Sequence, residues 1–294
     1  MKEILDLVLR NGAILAQPGE FTKRAFLNGR IDLTKVESIA TILNAKSEEE
    51  LRISGELLQG KLYNKIVNIK EKLMDILMHL EVNIDYPEYD TEEKDKEEIV
   101  ETISKILLEL KKFESTFDVG SKIIDGIKVS IIGRPNAGKS SLLNNLLNKE
   151  RAIVTEIEGT TRDSIEEDLN INGINIKIID TAGIRETDEK VEKIGIERAI
   201  DIAKKSDLII AIFDISKSLN ENDLRILEII KEKESLILLN KCDLLRNEDI
   251  PEEIKDVKKE YIFTSMSEKR GIDEIIEWLT KKTEFLKINK NIFI

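Results

Sequence analysis

The feature that most constrains the fold is the segment Gly133–Ser140, which fits the pattern G-x-x-x-x-G-K-[ST]. A β-branched run, Val129–Ile132, precedes it, and a helical pattern, Ser141–Leu147, follows it. In this context the glycines let backbone N–H groups curl around phosphate oxygens, and the helix N-terminus adds positive potential. The segment predicts a phosphate-binding loop in an α/β domain, with Lys139 reaching the β- and γ-phosphates and Ser140 ligating Mg²⁺.

The chain before Gly120 has a helical pattern. Apolar residues recur at spacings of three and four from Leu58 to Ile84, and again from Ile99 to Phe117. Each stripe is typical of an amphipathic helix, and the two helices are expected to pair antiparallel. Thr34-Lys35-Val36-Glu37 is typical of a capping box, which predicts an earlier helix start.

After Gly120, short β-branched runs alternate with amphipathic helices. Strands are predicted at residues 128–132, 174–179, 208–213, 236–239 and 261–264. This alternation predicts βαβ units and a mostly parallel sheet. The dipeptide Asn172-Gly173 predicts a hairpin, so the strand before Ile174 should pair antiparallel with the strand that starts there.

Composition and charge limit the class of protein. The 294 residues carry a net charge of −12, which argues against a broad basic surface that would bind nucleic-acid phosphates. The single cysteine, Cys242, excludes an internal disulfide and predicts a reducing, cytoplasmic location. No apolar run approaches the roughly 18 residues that cross a bilayer, so no membrane contact is expected.

Three further motifs follow predicted strands. Asp180-Thr181-Ala182-Gly183 offers an acid that can hold Mg²⁺ through water and a glycine N–H for a γ-phosphate. In Asn240-Lys241-Cys242-Asp243, the last carboxylate can accept hydrogen bonds from guanine N1–H and N2–H₂, a pattern that adenine lacks. Ser265-Met266-Ser267 is expected to close the base pocket through backbone N–H groups. Together the motifs predict a guanine-nucleotide site.

The residues that would catalyse hydrolysis are less directly indicated by the sequence than those that would bind the nucleotide. The turn Gly159–Asp163 lies where a switch loop belongs, and a threonine there can complete the Mg²⁺ shell. Ile184 stands where many regulatory GTPases place a water-orienting glutamine, and its alkyl group cannot hold a water. The nearest acids are Glu186, Glu189 and Glu192, and the arginines that could neutralise transition-state charge are Arg162 and Arg185.

The order of these motifs resembles the tRNA-modification GTPase family called MnmE or TrmE. Two stretches carry the resemblance: Ala16–Gly29, A-Q-P-G-E-F-T-K-R-A-F-L-N-G, and Asp188–Ala199, D-E-K-V-E-K-I-G-I-E-R-A. The resemblance implies an α/β Ras-like P-loop GTPase domain, with a mostly parallel sheet, preceded by an all-α helical domain. The expected domains are residues 1–30, the remnant of an N-terminal folate-binding domain; 31–120, the first half of the helical domain; 121–285, the GTPase domain; and 286–294, a tail.

The resemblance also implies roles for individual residues. Glu192 would orient the attacking water; from their own motifs, Lys139 and Arg162 are predicted as the other catalytic groups. Mg²⁺ would be held by Ser140 and Thr161, K⁺ by Asn136, Thr155, Ile157 and Thr160, and formyl-tetrahydrofolate by Arg30. The GTP contacts are expected at Asn136, Ala137, Gly138, Lys139, Ser140, Ser141, Thr155, Glu156, Ile157, Glu158, Gly159, Thr160, Thr161, Asp180, Thr181, Ala182, Gly183, Asn240, Lys241, Asp243, Ser265, Met266 and Ser267.

Family members act as homodimers with a flavoprotein partner, MnmG or GidA, to build the 5-carboxymethylaminomethyl group on wobble uridines of tRNA. Their GTPase domains pair with the help of K⁺. The family's second helical half and C-I-G-K tail do not occur in this sequence, which predicts a fragment or a truncated gene product. An Era-like ribosome-assembly GTPase switch is the alternative; it explains the GTPase motifs but not the helical region or the stretch Pro18–Gly29.

Overall fold

A computed structural model of the chain describes residues 2–85, 96–149, 166–180, 201–245, 249–284 and 286. Its contacts divide these residues into two compact units. The first unit takes in residues up to 45 and residues 51–115, and the second takes in residues 46–50 and the described chain from 116 onwards. The domain bounds expected from the sequence, at 30, 120 and 285, stay predictions.

The first unit is built from helices. They are α1 (Lys2–Arg10), α2 (Glu20–Leu27), α3 (Leu33–Asn44), α4 (Glu48–Leu58), α5 (Lys61–Asp85) and α6 (Lys96–Asp125), of which α4 begins and α6 ends in the second unit. The Nζ atom of Lys65, near the start of α5, lies 5.3 Å from the ring centroid of Phe113, in the later half of α6, as expected of antiparallel helices. No helix in the described ranges is both long and apolar enough to span a membrane.

Two local predictions in this unit are wrong. The N-cap of α3 is Asp32, whose Oδ1 accepts the backbone N–H of Lys35 at 3.0 Å and the hydroxyl of Thr34. This carboxylate takes the place of the capping box predicted to start at Thr34. Leu58 ends α4 and is not part of the long helix, because Gly60 has a φ of 84° that breaks the helical path.

The second unit contains a six-stranded sheet in the order β2-β3-β1-β4-β5-β6. The strands are β1 (Ile127–Ile132), β2 (Glu166–Ile171), β3 (Ile174–Asp180), β4 (Leu208–Asp214), β5 (Ser235–Asn240) and β6 (Glu260–Thr264). All neighbours pair parallel except β2 and β3, which form the antiparallel hairpin around Asn172-Gly173. The mostly parallel sheet and each of the predicted strands are confirmed.

The helices of the second unit flank this sheet in sequence. Among the described residues, those with both ends defined are α7 (Lys139–Lys149), α8 (Glu221–Lys231), α9 (Glu252–Lys255) and α10 (Ile272–Thr283), with a 3₁₀ turn at Cys242–Leu244; residues 201–205 are also helical. Every residue of β4 and β5 is buried, which is typical of central parallel strands covered on both faces. The carboxyl ends of β1, β4, β5 and β6 therefore meet at one edge, where open α/β sheets bind ligands.

Candidate functional site

The phosphate-binding loop begins directly after β1 and ends at the first turn of α7. A Cβ atom on Gly133 would lie 2.5 Å from the carbonyl oxygen of Ile212, so only glycine fits against β4. Gly138 has a φ of +113°, and a Cβ there would lie 2.3 Å from Nδ2 of Asn240. The loop is thus pressed against two neighbouring strands, with the free N–H groups of α7 at its end.

The polar side chains of this loop surround its curled backbone. Nζ of Lys139 donates to the carbonyl oxygens of Gly133 at 2.8 Å and Arg134 at 2.9 Å. Ser140 is exposed on the first turn of α7, and its hydroxyl is the hard oxygen donor that Mg²⁺ prefers. Asn136 is also exposed and has a left-handed φ of 60°.

Asn240 joins the phosphate-binding loop to the loops that follow β5 and β6. Its side chain is 1% exposed, and its Nδ2 donates to the carbonyl oxygen of Ala137 at 2.6 Å. Its Oδ1 accepts the hydroxyl of Thr264 and the backbone N–H of Met266, each at 3.3 Å. One buried amide therefore fixes three loops relative to each other.

The base-recognition loop, residues 240–243 at the end of β5, turns sharply at Lys241, which has a φ of 67°. This turn buries Cys242 and leaves the carboxylate of Asp243 exposed at the sheet edge. The closing loop, residues 265–267 after β6, is held in place by the Nδ2 of Asn145, which donates to the carbonyl oxygen of Met266 at 3.0 Å. The burial of Cys242 gives this residue a packing role.

A second part of the closing loop is held by its own hydroxyls. Ser265 is buried and its Oγ lies 2.9 Å from Oγ of Ser267, which is exposed. These residues follow β6 at the same sheet edge as the other two loops. The structure thus brings together the segments at 136–141, 240–243 and 265–267.

A buried charge network at this edge was not predicted. Arg134 contacts the carbonyl oxygen of Asp214 at 2.8 Å, and Nζ of Lys241 lies 2.8 Å from Oδ2 of the same residue. Burial disfavours the ionised carboxyl of Asp214, but hydrogen bonds from Lys241 and Ser216 outweigh this and hold its pKa below the ordinary value. The signal that could have indicated it is an aspartate that ends a wholly apolar strand.

Other predicted site residues lie outside the described residues: Thr155, Glu156, Ile157, Glu158, Gly159, Thr160, Thr161, Arg162, Thr181, Ala182, Gly183 and Glu192. The backbone of Asp180 ends β3 in register with Ile131 of β1, so β3 ends beside the strand that leads into the phosphate-binding loop. Arg30 lies in the first unit after α2, exposed, and its backbone N–H donates to the carbonyl oxygen of Ala25 at 2.9 Å.

Within the described residues, the predicted Mg²⁺ ligand is the hydroxyl of Ser140. Within the part of the chain that the structure describes, no group of three or more His, Cys, Asp or Glu side chains converges on a point. An ion held by Ser140 and by substrate phosphates fits this donor set, because Mg²⁺ in nucleotide sites is commonly bound by one or two side chains plus phosphates and water.

Comparison with known proteins bears on both units. Residues 128–241 match the family model described as 50S ribosome-binding GTPase, and residues 1–30 match that described as GTP-binding protein TrmE N-terminus. Proteins named tRNA modification GTPase MnmE are similar along the chain. That of Alkaliphilus oremlandii is 46% identical over 284 residues, which are 96% of this chain and 61% of the relative. That of Acetivibrio thermocellus is 47% identical over 283 residues, with the same shares.

Among solved structures, the crystal structure of Aquifex aeolicus Era bound to GDP·AlF₄⁻ is 28% identical, with a TM-score of 0.41, and the match covers 52% of this chain and 56% of that one. The chain spans about 61% of the length of the curated relatives named above. The sheet of the second unit and its phosphate-binding loop have the Ras-like P-loop GTPase fold. Since the similarity to these relatives extends through 96% of this chain, the chain belongs to the tRNA modification GTPase MnmE (TrmE) family.

Proposed function

We propose that this chain binds GTP with Mg²⁺ and hydrolyses it, as the GTPase of tRNA wobble-uridine modification. One observation carries the nucleotide part of the proposal. Asn240 ties the phosphate-binding loop, at Ala137, to the loop after β6, at Met266. The loops for phosphate, for base and for pocket closure are thereby held together at one sheet edge, where open α/β sheets bind ligands.

The described residues supply binding and charge neutralisation. The N–H groups at the start of α7 and the ammonium of Lys139 would hold the β- and γ-phosphates. The hydroxyl of Ser140, with Thr161, would hold Mg²⁺, which neutralises charge on the phosphates when bound. The carboxylate of Asp243 would accept the two guanine donors, and adenine would leave it unpaired.

The finer part of the proposal concerns catalysis. Ile184 cannot orient a water, and the resemblance to the MnmE family gives that role to Glu192, with Arg162 as a further charge-neutralising group. Asn136, exposed and left-handed, would contribute to a K⁺ site with Thr155, Ile157 and Thr160. K⁺ would stimulate turnover through pairing of two GTPase domains in a homodimer.

Substitution of Asp243 by Asn tests the base pocket. The variant loses an acceptor that guanine needs and gains a donor that suits xanthine, so affinity should shift from GTP to xanthosine triphosphate. Asp249→Asn, an exposed acid outside the motif, is the matched control and should leave the preference unchanged. An unaltered guanine preference in Asp243→Asn would remove the base-pocket assignment.

The rate of GTP turnover in different salts tests the K⁺ site. GTP hydrolysis should rise when Na⁺ is replaced by K⁺ at constant ionic strength, and equal rates would refute the K⁺ assignment.

Glu192→Ala should keep nucleotide binding and lose turnover, whereas Glu189→Ala should keep both. Intact K⁺-stimulated hydrolysis in Glu192→Ala would transfer the role to Glu186 or Glu189.

The wider role draws on the relatives named tRNA modification GTPase MnmE and on the match of residues 1–30. It makes tRNA the substrate, MnmG the partner and formyl-tetrahydrofolate a ligand near Arg30. The Era-like ribosome-assembly alternative draws on the description of the match at residues 128–241. Co-purification of this chain with MnmG supports the first role, and GTP-dependent sedimentation with 50S subunits supports the second.

A further inference from the structure

Arg134, the second residue of the phosphate-binding loop, makes three polar contacts: two with Asp214 at the end of β4 and one with Asp223 in the first turn of α8. Its Nη2 donates to the carbonyl oxygen of Asp214 at 2.8 Å and lies 3.5 Å from Oδ2 of that residue. Its Nη1 lies 3.3 Å from Oδ2 of Asp223, in the first turn of α8. The planar guanidinium therefore spans the end of β4 and the start of α8.

Asp214 serves the base-recognition loop with the same carboxylate. Its Oδ2 accepts Nζ of Lys241 at 2.8 Å, and its Oδ1 accepts the backbone N–H of Ser216 at 3.1 Å and its hydroxyl at 2.5 Å. Asp214 is paired in register with Asn240, the residue before Lys241. Arg134 and Lys241, from the two loops that would hold opposite ends of a nucleotide, thus share one carboxylate.

Three side chains of this network are largely buried, so the loss of one contact is costly. Asp214 is 4% exposed and Asp223 is 0% exposed, while the side chain of Arg134 is 11% exposed. Oδ1 of Asp223 has no hydrogen-bond partner among the described residues. Removal of the Arg134 charge would leave the buried carboxylate of Asp223 without its cation, so the rest of the network would have to rearrange. The two loops cannot move independently while the network is intact.

We infer that Arg134 and Asp214 are positioning residues that couple the phosphate-binding loop to Lys241 of the base-recognition loop, so that each loop depends on the other for guanine-nucleotide affinity. The inference rests on the proposed binding of guanine nucleotides at this edge. None of the three side chains has to touch the reacting phosphate for the coupling to act. The consequence is measurable as non-additivity between substitutions in two separate loops.

A double-mutant cycle on GDP affinity tests this coupling in the full chain. Arg134→Met and Lys241→Met each remove a charge and keep an alkyl stem that still packs. Each single variant should weaken GDP binding about 10-fold, and the double variant should be weaker than wild type by clearly less than the product of about 100-fold, because both substitutions release the same carboxylate of Asp214. Arg225→Met, an exposed arginine on α8, is the matched control and should bind GDP like the wild type.

The thermal unfolding of each variant is measured first. GDP affinity is then measured at a temperature well below the melting temperature of every variant. Wild-type GDP affinity in Arg134→Met, or independent effects that multiply to about 100-fold, would overturn the coupling. A wild-type protein that does not bind GDP would instead overturn the proposed function. If Arg134→Met has no cooperative melt, the cycle is repeated with Arg134→Lys, which keeps the charge but not the two-pronged contact, and the same criterion of non-additivity decides.

Discussion

Replacement of Asn240 by Ala should destabilise the second unit by about 3 kcal/mol. Asn240 is 1% exposed and makes three hydrogen bonds: to the carbonyl oxygen of Ala137 at 2.6 Å, and from Thr264 and the backbone N–H of Met266 at 3.3 Å each. Each such bond is worth about 1 kcal/mol net, and more when a buried partner is left unsatisfied. The substitution leaves one group in the phosphate-binding loop and two groups at and directly after the end of β6 without this partner.

Urea unfolding followed by tryptophan fluorescence is the suitable assay. Trp278 is the only tryptophan of the chain and is 4% exposed on α10, so its emission reports on the second unit. The midpoint should fall with an unchanged slope, since the surface exposed on unfolding is nearly the same. Asn144→Ala, an exposed asparagine on α7, is the control and should change stability by less than about 0.5 kcal/mol.

A second substitution isolates the steric part of the same contact. A Cβ on Gly138 would lie 2.3 Å from Nδ2 of Asn240, and the φ of +113° adds backbone strain. Gly138→Ala should therefore cost more in the wild type than in Asn240→Ala, where only strain of about 1 to 3 kcal/mol remains. Equal costs in the two backgrounds, or an Asn240→Ala midpoint equal to that of Asn144→Ala, would refute the reasoning.

Two further outcomes are expected. Gly271→Ala should cost about 3 kcal/mol by the same fluorescence assay, because its Cβ would lie 2.6 Å from Cγ2 of Thr264 at a φ of +87°; unchanged stability would contradict this contact. Burial, opposed by a hydrogen bond from Lys46, raises the pKa of Glu50 above its ordinary 4.5, so the fold binds this proton more tightly than the unfolded chain does. Stability from this group is then full below pH 4.5 and is lost as pH rises through the raised pKa. Glu50→Gln should remove that loss, which urea unfolding at pH 4.5 and pH 7 would detect; identical pH profiles for variant and wild type would count against it.

The strands and the phosphate-binding loop could be predicted because their signals are local. The wholly apolar run of β4 and the turn at Asn172-Gly173 each specify backbone geometry within a few residues. The start of α3 and the break at Gly60 could not, since several neighbouring residues suit each role. Asp32 and Thr34 are both good N-cap residues, and tertiary context selects one of them.

The sequence offered Asp214 as a signal, but its partners in the charge network could not be predicted, for a different reason. Arg134 and Asp214 meet only because β4 lies beside β1, and Lys241 joins them only because β5 lies beside β4. Pairing of strands that are distant in sequence is set by the sheet order, which the residue pattern does not specify. The motif residues were found because their spacing is characteristic, whereas the contacts between motifs require the register.

This network also bears on how a chain of net charge −12 could offer the proposed nucleotide site. At the sheet edge, the carboxylates of Asp214 and Asp223 are each paired with a cation, Arg134 for both and Lys241 for the first. Two acids and two cations cancel, so neither acid projects an uncompensated negative field onto the neighbouring loop. The potential that a phosphate meets there is then set by Lys139 and the N-terminus of α7. Loss of Arg134 would therefore act on phosphate affinity in two ways, through loop position and through the uncovered charge of Asp223.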